Sequence, residues 1–144
     1  GVAVHFAACC HPLPGDRIVG VVATGRGVTV HTRTCQTLES FAATPERFLD
    51  VDWDYDAMSR AGVGELRVGR ISLVADNEPS VLATVTNTVS KCDASMVNLK
   101  IVNRQLDFME ILVDVEVRDL RHLSSVIAGL RAASGIAQAD RARS

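Results

Sequence analysis

The amino-acid sequence predicts an α+β protein of two modules: a small β-rich module and, from residue 67, a ferredoxin-like βαββαβ sandwich. One observation is the alternation of apolar and polar residues over Met109–Val117, which is typical of a half-buried strand. The other is the helical spacing of apolar residues over Val81–Val89 and again over Leu120–Leu130. Because predicted strands flank each helix, the order fits a four-stranded antiparallel sheet with both helices on one face.

The first module covers residues 1–56, and its predicted strands are short and rich in β-branched residues. Glycines that permit positive φ predict a tight hairpin turn at Gly25-Arg26-Gly27. Two prolines exclude a helix or a strand from the loop His11–Gly15. Thr34 is predicted to cap a short helix. The predicted elements are the strands Val2–Ala7, Ile18–Thr24, Val28–His31 and Val51–Trp53 and the helix Cys35–Phe41.

Residues 57–66 are predicted to be a linker, and residues 67–144 hold the sandwich. Asp119 stands where an N-cap of the second helix is expected, and Gly135 is predicted to end that helix. In chain order, the predicted elements are the strand Val68–Ala75, the turn Asp76–Pro79, a helix from Ser80, the strand Val97–Val102, the hairpin loop Asn103–Asp107, the strand Met109–Val117, a helix from Leu120 and the strand Ile136–Arg143.

Composition and charge exclude several classes of function. The 144 residues carry a formal net charge of −2, so the chain lacks the overall basic character of a general nucleic-acid binder, although a local basic patch is compatible with it. No apolar run approaches the roughly 18 residues of a membrane helix. Nothing marks the four cysteines as a secreted disulfide framework, and we expect a reduced, cytoplasmic protein. Because residue 1 is Gly and no leader is present, we expect a fragment of a longer chain.

Three cysteines and one histidine of the first module form a candidate metal set: Cys9, Cys10, His31 and Cys35. The spacing His31-x-x-x-Cys35 lets two ligands converge from a strand end and the following helix, and three sulfurs with one imidazole suit tetrahedral zinc. Against this, consecutive side chains in an extended segment diverge, which disfavours adjacent cysteines as ligands. The alternative interpretation is two buried thiols and a polar histidine.

The start of the first helix of the second module is a candidate site for an α-amino acid. Free N–H groups around Ser80 and the positive end of the helix dipole suit a small carboxylate, and the amide of Asn98 can both donate and accept. Aliphatic neighbours line the pocket for a side chain. The candidate site comprises Asn77, Glu78, Ser80, Val81, Leu82, Val97, Asn98 and Leu99. The alternative is that the turn residues are ordinary and that Asn98 is a satisfied edge-strand amide.

No set of residues in the sequence points to catalysis. A cysteine nucleophile paired with His31 is conceivable, but neither a third orienting group nor oxyanion donors accompany it, so we expect no enzyme activity in this fragment. Asp114 and Glu116 are predicted on the outward face of a strand, where solvation accounts for them. His122 is predicted to be a surface residue of the second helix.

The first module resembles the zinc-finger-type module of long RelA/SpoT homologues, the bacterial stringent-response (p)ppGpp synthetase/hydrolases. The resemblance is carried by the run ACCHPLPGDRIVG over residues 8–20, by TGRGVTVH over residues 24–31 and by Cys35. Trp53 also stands where the family places a tryptophan after this module. The second module resembles the ACT domain that ends those proteins.

The resemblance implies a C-terminal regulatory region whose hydrolase and synthetase domains lie upstream. It implies that this region engages the ribosome, including its RNA. It also implies an ACT domain that binds an amino acid between its first strand and first helix, often across a dimer interface. Two departures stand out. The turn Asp76–Ser80 is one residue longer than the usual Asp-x-Pro-Gly and has Ser where Gly is expected, and Thr34 replaces a frequent acid.

We therefore predict a non-catalytic regulatory fragment whose ACT domain forms a homodimer and binds a small aliphatic amino acid, valine or isoleucine. The candidate pocket is aliphatic and has no spare charge for a charged side chain. The ligand would act by population shift on the regulatory domains. The alternative is a ribosome-binding and dimerisation module without a small ligand. In that case Arg17, Arg26, Arg33 and His31 would touch rRNA phosphates.

Overall fold

The computed structural model describes residues 3–23, 25–55 and 66–142. The chain forms two compact units, the first ending at residue 64 and the second covering residues 65–142. Apart from Leu66, the predicted linker 57–66 lies outside the described residues. Within the described ranges, no helix is both long enough and apolar enough to cross a membrane.

The first unit is a four-stranded sheet with short 3-10 helices after its hairpin. Its strands are β1 (Val4–Phe6), β2 (Ile18–Ala23), β3 (Gly27–Thr32) and β4 (Phe48–Leu49), and the 3-10 helices are Gln36–Phe41 and Pro45–Arg47. The strand order is β1-β3-β2-β4, with β1 parallel to β3 and the other pairs antiparallel. The predicted hairpin between β2 and β3 is confirmed: Arg26 N donates to Ala23 O over 2.9 Å and closes the turn.

Two sequence predictions for this unit are wrong. No strand covers Val51–Trp53, because Trp53 is held by its side chain: Nε1 donates to Asp16 O over 3.0 Å, and the ring stacks on Phe6 with 5.7 Å between centroids. Thr34 does not cap the helix. The Cys35 N–H donates to Thr32 O, so Thr34 lies inside that turn, and Cys35 takes the N-cap position.

The second unit has the predicted βαββαβ order. Its elements are β5 (Arg67–Asp76), α1 (Pro79–Lys91), β6 (Ser95–Arg104), β7 (Phe108–Val117), α2 (Leu120–Arg131) and β8 (Ile136–Arg141). The sheet order is β6-β7-β5-β8, and all neighbours are antiparallel. Asp119 caps α2, since its Oδ1 accepts from His122 N over 2.8 Å. Gly135 does not end α2 directly, because the helix stops at Arg131 and Gly135, with φ +85°, belongs to the turn into β8.

The core of this unit lies between one sheet face and the two helices. The residues of β7 that alternate from Met109 to Val117 are all buried, as are the paired positions Ile71 and Leu73 of β5. Leu123 of α2 packs on this face, since a Cβ on Gly69 would lie 3.0 Å from its Cδ1. The polar positions of β5, β6 and β7 therefore face away from the helices. His122, predicted at the surface, is 5% exposed, and that prediction is wrong.

Candidate functional site

The four predicted metal ligands of the first unit converge. The Sγ atom of Cys9 lies 3.5 Å from both His31 Nδ1 and Cys35 Sγ, and Cys10 Sγ lies 3.9 Å from the same imidazole nitrogen. All four candidate ligand atoms lie within 4.8 Å of one another. Cys35 and His31 are buried, whereas the adjacent cysteines are half-buried. The cluster is therefore one site with a partly open side.

A turn after β1 accounts for the convergence of the adjacent cysteines. His11 N donates to Ala7 O over 3.0 Å, so the chain from Ala7 to His11 folds back instead of continuing as an extended strand. The divergence expected for consecutive side chains applies to an extended segment and is absent here. Cys35 reaches the cluster from the other side, because the turn Thr32–Cys35 follows directly on β3.

The donor set and its spacing fit zinc. Zn–S distances near 2.3 Å and tetrahedral angles give ligand–ligand separations of roughly 3.5–3.8 Å, and the shorter distances in the cluster lie at this value. The Thr32 N–H donates to Cys10 Sγ over 3.3 Å, a contact that stabilises a thiolate ligand. Thr32 is not apparent from ligand spacing in the sequence, because its role depends on the turn that follows β3.

The thiols of the cluster differ strongly in acidity. Burial raises the pKa of the Cys10 thiol to about 12. Burial also acts to raise the pKa of Cys35, but hydrogen bonds from His31 and Thr37 favour its thiolate and together lower that pKa to about 6. The cluster thus holds one thiol that ionises readily and one that stays protonated until a cation compensates its charge.

The three arginines proposed for RNA contact do not form one patch. Arg33 N donates to Arg17 O over 2.9 Å, which places both residues at the same end of the β2–β3 hairpin. Arg33 also forms an ion pair of 3.5 Å with the exposed Asp50. Arg26 occupies the hairpin turn at the other end of β2, about 20 Å away at roughly 3.4 Å per strand residue.

The candidate amino-acid residues fall into two groups within one chain. The first group lies at the start of α1, just after β5 ends at Asp76. Asp76 pairs with Phe108 on β7, which marks the level of this group in the sheet. Asn77 is already engaged there, since its Nδ2 donates to Gln105 O over 2.7 Å. Glu78 and Ser80 are exposed, Leu82 is half-buried, and Val81 is 2% exposed, so the Val81 side chain belongs to the core.

The second group lies on β6, at a different level of the sheet. Asn98 is exposed and pairs with Asp114, which in turn pairs with Arg70, six positions before Asp76 on β5. This offset corresponds to about 20 Å along the sheet. Leu99 is half-buried, whereas Val97 lies in an irregularity of the β6–β7 register and is 47% exposed. A single chain does not bring Asn98 and Ser80 together.

Comparisons with known families divide the chain into two matched regions. The profile described as the RelA/SpoT RIS domain matches residues 1–54, and that of the ACT domain matches residues 67–141. A crystal structure of the ACT domain from the GTP pyrophosphokinase of Chlorobium tepidum is 17% identical, with a TM-score of 0.47. The match covers 54% of this chain and 100% of that chain.

Curated relatives match over nearly the whole chain. The GTP pyrophosphokinase rsh of Brucella ovis is 37% identical over 129 residues, which are 90% of this chain and 17% of that protein. A GTP pyrophosphokinase of Myxococcus xanthus is 36% identical over 97% of this chain and 17% of its own length. The bifunctional (p)ppGpp synthase/hydrolase SpoT of Escherichia coli is 25% identical, over 99% of this chain and 20% of its length. The chain thus spans only 17–20% of the length of these relatives.

Proposed function

This chain belongs to the RelA/SpoT family, as a RIS domain followed by an ACT domain, and from that membership we propose a non-catalytic regulatory segment of a (p)ppGpp synthetase/hydrolase. Its ACT domain binds a small aliphatic amino acid, valine or isoleucine. The bound amino acid stabilises one arrangement of the regulatory domains, and it shifts the equilibrium by its difference in affinity between the arrangements. The names of the relatives, GTP pyrophosphokinase and (p)ppGpp synthase/hydrolase, support the parent activity.

The amino-acid site is completed by two copies of the chain. The observation that carries this is the separation of Ser80 from Asn98 within one chain, together with the position of Asn98 on β6. Because β6 is an edge strand, a second copy can approach it along its whole length. In the homodimer, the start of α1 of one protomer meets β6 of its partner. The helix N–H groups then receive the ligand carboxylate, and the amide of Asn98 accepts from its ammonium group.

The side-chain preference follows from the residues available on β6 and α1. Val97 is 47% exposed, and the half-buried Leu99 and Leu82 add aliphatic surface without charge. Burial of a Val or Ile side chain against such surface contributes about 1.5–3 kcal/mol, whereas a charged ligand side chain would lose hydration without a partner.

Isothermal titration with each of the twenty amino acids tests the sensor. We expect heat with valine or isoleucine, and sedimentation that reports a dimer. Asn98→Ala should abolish the heat, while Arg121→Ala, an exposed change on α2 away from β6, should leave it intact. Absence of heat with every amino acid at millimolar concentration would exclude the sensor function.

The RIS domain holds zinc through Cys9, Cys10, His31 and Cys35. Bound zinc would cross-link the turn after β1 to the end of β3, a structural role in a unit with a small core. Elemental analysis of protein purified without chelator tests this. We expect about one zinc per chain in the wild type and loss of the metal in Cys10→Ser, with Cys92→Ser as the matched control.

A second candidate function is ribosome and rRNA binding by the RIS domain, with the ACT domain serving as a dimerisation surface. The exposure of Arg17, Arg26 and Arg33 on the first unit favours it. Binding to ribosomes should then weaken with salt and fall on Arg26→Glu. Indifference of that binding to amino acids, combined with no titration heat, would favour this function over the sensor.

A further inference from the structure

Two cysteines of the first unit, Cys9 and Cys35, lie in direct contact although 26 residues separate them in the sequence. Their Sγ atoms are 3.5 Å apart, and neither residue belongs to a strand. Cys9 is part of the turn that the hydrogen bond from His11 to Ala7 closes, and Cys35 directly precedes the 3-10 helix Gln36–Phe41. A disulfide needs its sulfurs at about 2.05 Å, so the two atoms must approach by about 1.5 Å. Side-chain rotation in a turn and at a helix start provides that movement without breaking the strand pairing of the sheet.

The geometry favours this pair over the other cysteine pairs of the chain. Cys9 and Cys10 are consecutive, so their Cα atoms lie about 3.8 Å apart, closer than the roughly 4.4–6.8 Å that disulfides span. The sulfur of Cys10 is engaged elsewhere, because it accepts from the Thr32 N–H over 3.3 Å. Cys92 belongs to the second unit and contacts the backbone of α2 there. Cys9 and Cys35 therefore form the candidate disulfide pair.

Access from solvent differs between the two thiols of this pair. Cys9 is half-buried, whereas Cys35 is only 7% exposed. A small oxidant in solution therefore meets Cys9 first, and Cys35 lies behind it as a second thiol in contact. A reactive cysteine next to a resolving cysteine is the arrangement that converts a sulfenic acid into a disulfide.

We propose that Cys9 and Cys35 form a reversible disulfide on reaction with hydrogen peroxide or another hydroperoxide. In the metal-free chain, the Cys9 sulfur first attacks a peroxide oxygen and the O–O bond breaks. Cys9 becomes a sulfenic acid, and the departing hydroxide takes the thiol proton and leaves as water. The Cys35 sulfur then attacks the Cys9 sulfur, the S–O bond breaks, and hydroxide leaves with the Cys35 proton as a second water. Two thiols and one peroxide thus give one disulfide and two waters, and two electrons pass from the sulfurs to the peroxide.

The disulfide is incompatible with the metal that the reduced cluster is proposed to hold, and in this respect the inference rests on the proposed zinc site. The joined sulfurs are no longer thiolates, so Cys10 and His31 remain as ligands, fewer than the three protein ligands of an open zinc site. Oxidation of the loaded cluster therefore releases zinc, and solvent supplies the two protons that the thiolates lack. The turn after β1 stays linked to the turn after β3, now by a covalent bond. The first unit thus responds to an oxidant by exchanging a metal link for a disulfide.

Peroxide titration of the intact chain, with and without prior removal of metal by a chelator, tests the disulfide. Thiols counted under denaturing conditions should fall from four to two per chain, and dithiothreitol should restore all four. Peptide mass spectrometry should find Cys9 joined to Cys35 in both samples. In the sample that retains metal, a chromophoric chelator should register about one zinc released per disulfide formed.

Three variants separate the roles of the thiols in the metal-free chain. Cys35→Ser should stop the reaction at the Cys9 sulfenic acid, which dimedone traps as an adduct of defined mass. Cys10→Ser should retain the link between Cys9 and Cys35. Cys92→Ser, in the second unit, is the matched control and should also retain it.

The outcomes separate the disulfide from the zinc site on which its consequence rests. A link between Cys9 and Cys35 in a chain that never held zinc would support the disulfide and refute only the metal site. A metal-free wild-type chain that keeps four thiols under peroxide would overturn the disulfide and leave the metal site standing. Oxidation that instead joins Cys10 to another cysteine, or joins two chains on a non-reducing gel, would overturn it as well.

Discussion

His122 Nε2 donates to Cys92 O over 2.7 Å and thereby ties the start of α2 to the end of α1. The direction of this hydrogen bond follows from the other ring nitrogen. Because Nδ1 accepts from Arg118 N over 3.0 Å, the ring hydrogen must be on Nε2. The imidazole is 5% exposed, so both contacts are shielded from water. One buried neutral side chain thus satisfies backbone groups at two helix ends.

Substitution His122→Ala should destabilise the second unit. The change leaves the Arg118 N–H and the Cys92 carbonyl without their partner, and a buried unsatisfied group costs about 1–3 kcal/mol. Urea unfolding followed by far-ultraviolet circular dichroism measures this loss. Arg121→Ala, on the exposed side of the same helix, is the control and should remain within about 0.5 kcal/mol of wild type. Equal stability of both variants would contradict the role of the imidazole.

Gly27→Ala should destabilise the first unit more than Gly25→Ala. Both glycines have positive φ, at +85° and +78°, so an added Cβ costs about 1–2 kcal/mol of backbone strain at either position. Only at Gly27 does the Cβ also collide with Ala3 O, which displaces β1 from β3. Denaturant titration followed by Trp53 fluorescence gives the comparison. Equal losses of stability in the two variants would mean that β1 does not pack against the turn at Gly27.

Removal of the metal should loosen the first unit and leave the second folded. Trp53 is the only tryptophan of the chain and belongs to the first unit, where it stacks on Phe6 and donates to Asp16 O. Its fluorescence therefore reports that unit alone. With zinc bound as proposed, a chelator should shift the Trp53 melting transition downward by several degrees, because a structural metal contributes folding free energy directly. An unchanged transition in protein proved to contain zinc would contradict a structural role.

Thiolate ionisation in the metal-free chain should begin near pH 6. The pKa of Cys35 is lowered to about 6, below the ordinary thiol pKa near 8.5. Its thiolate therefore contributes fully to the stability of the fold at pH values above that ordinary pKa. This contribution is lost as pH falls through about 6. Cys10, with a pKa raised to about 12, stays protonated over this range. Ultraviolet absorbance of thiolates against pH measures the step.

Two variants assign that step. Cys35→Ser should remove the ionisation near pH 6, whereas Cys92→Ser, in the second unit, should retain it. A step that persists in Cys35→Ser would place the acidic thiol elsewhere.

Local sequence patterns predicted most of the second unit. The alternation over Met109–Val117 and the helical spacing in α1 and α2 each depend on neighbouring positions, and burial of one face follows from them. Local patterns predicted less of the first unit. The residues around Trp53 have a strand-like pattern. The Trp53 side chain, however, donates a hydrogen bond to the backbone carbonyl of Asp16, 37 residues earlier, and this residue lies outside the sheet. His122 was wrongly predicted at the surface for the same reason: its hydrogen-bond partner, the Cys92 carbonyl, lies 30 residues away in the sequence.

The sequence by itself determined the identity of the candidate metal ligands, the order of the strands and helices in the second unit, and the resemblance to the RelA/SpoT family. These features depend on residue types and on short spacings, both of which can be read from the sequence without knowledge of the fold. The tertiary structure alone decided that a turn brings Cys9 and Cys10 to one imidazole, and that Cys9 contacts Cys35. It also separated Asn98 from Ser80. The reason is that strand register and turn geometry fix distances between residues far apart in sequence, and no local pattern encodes them.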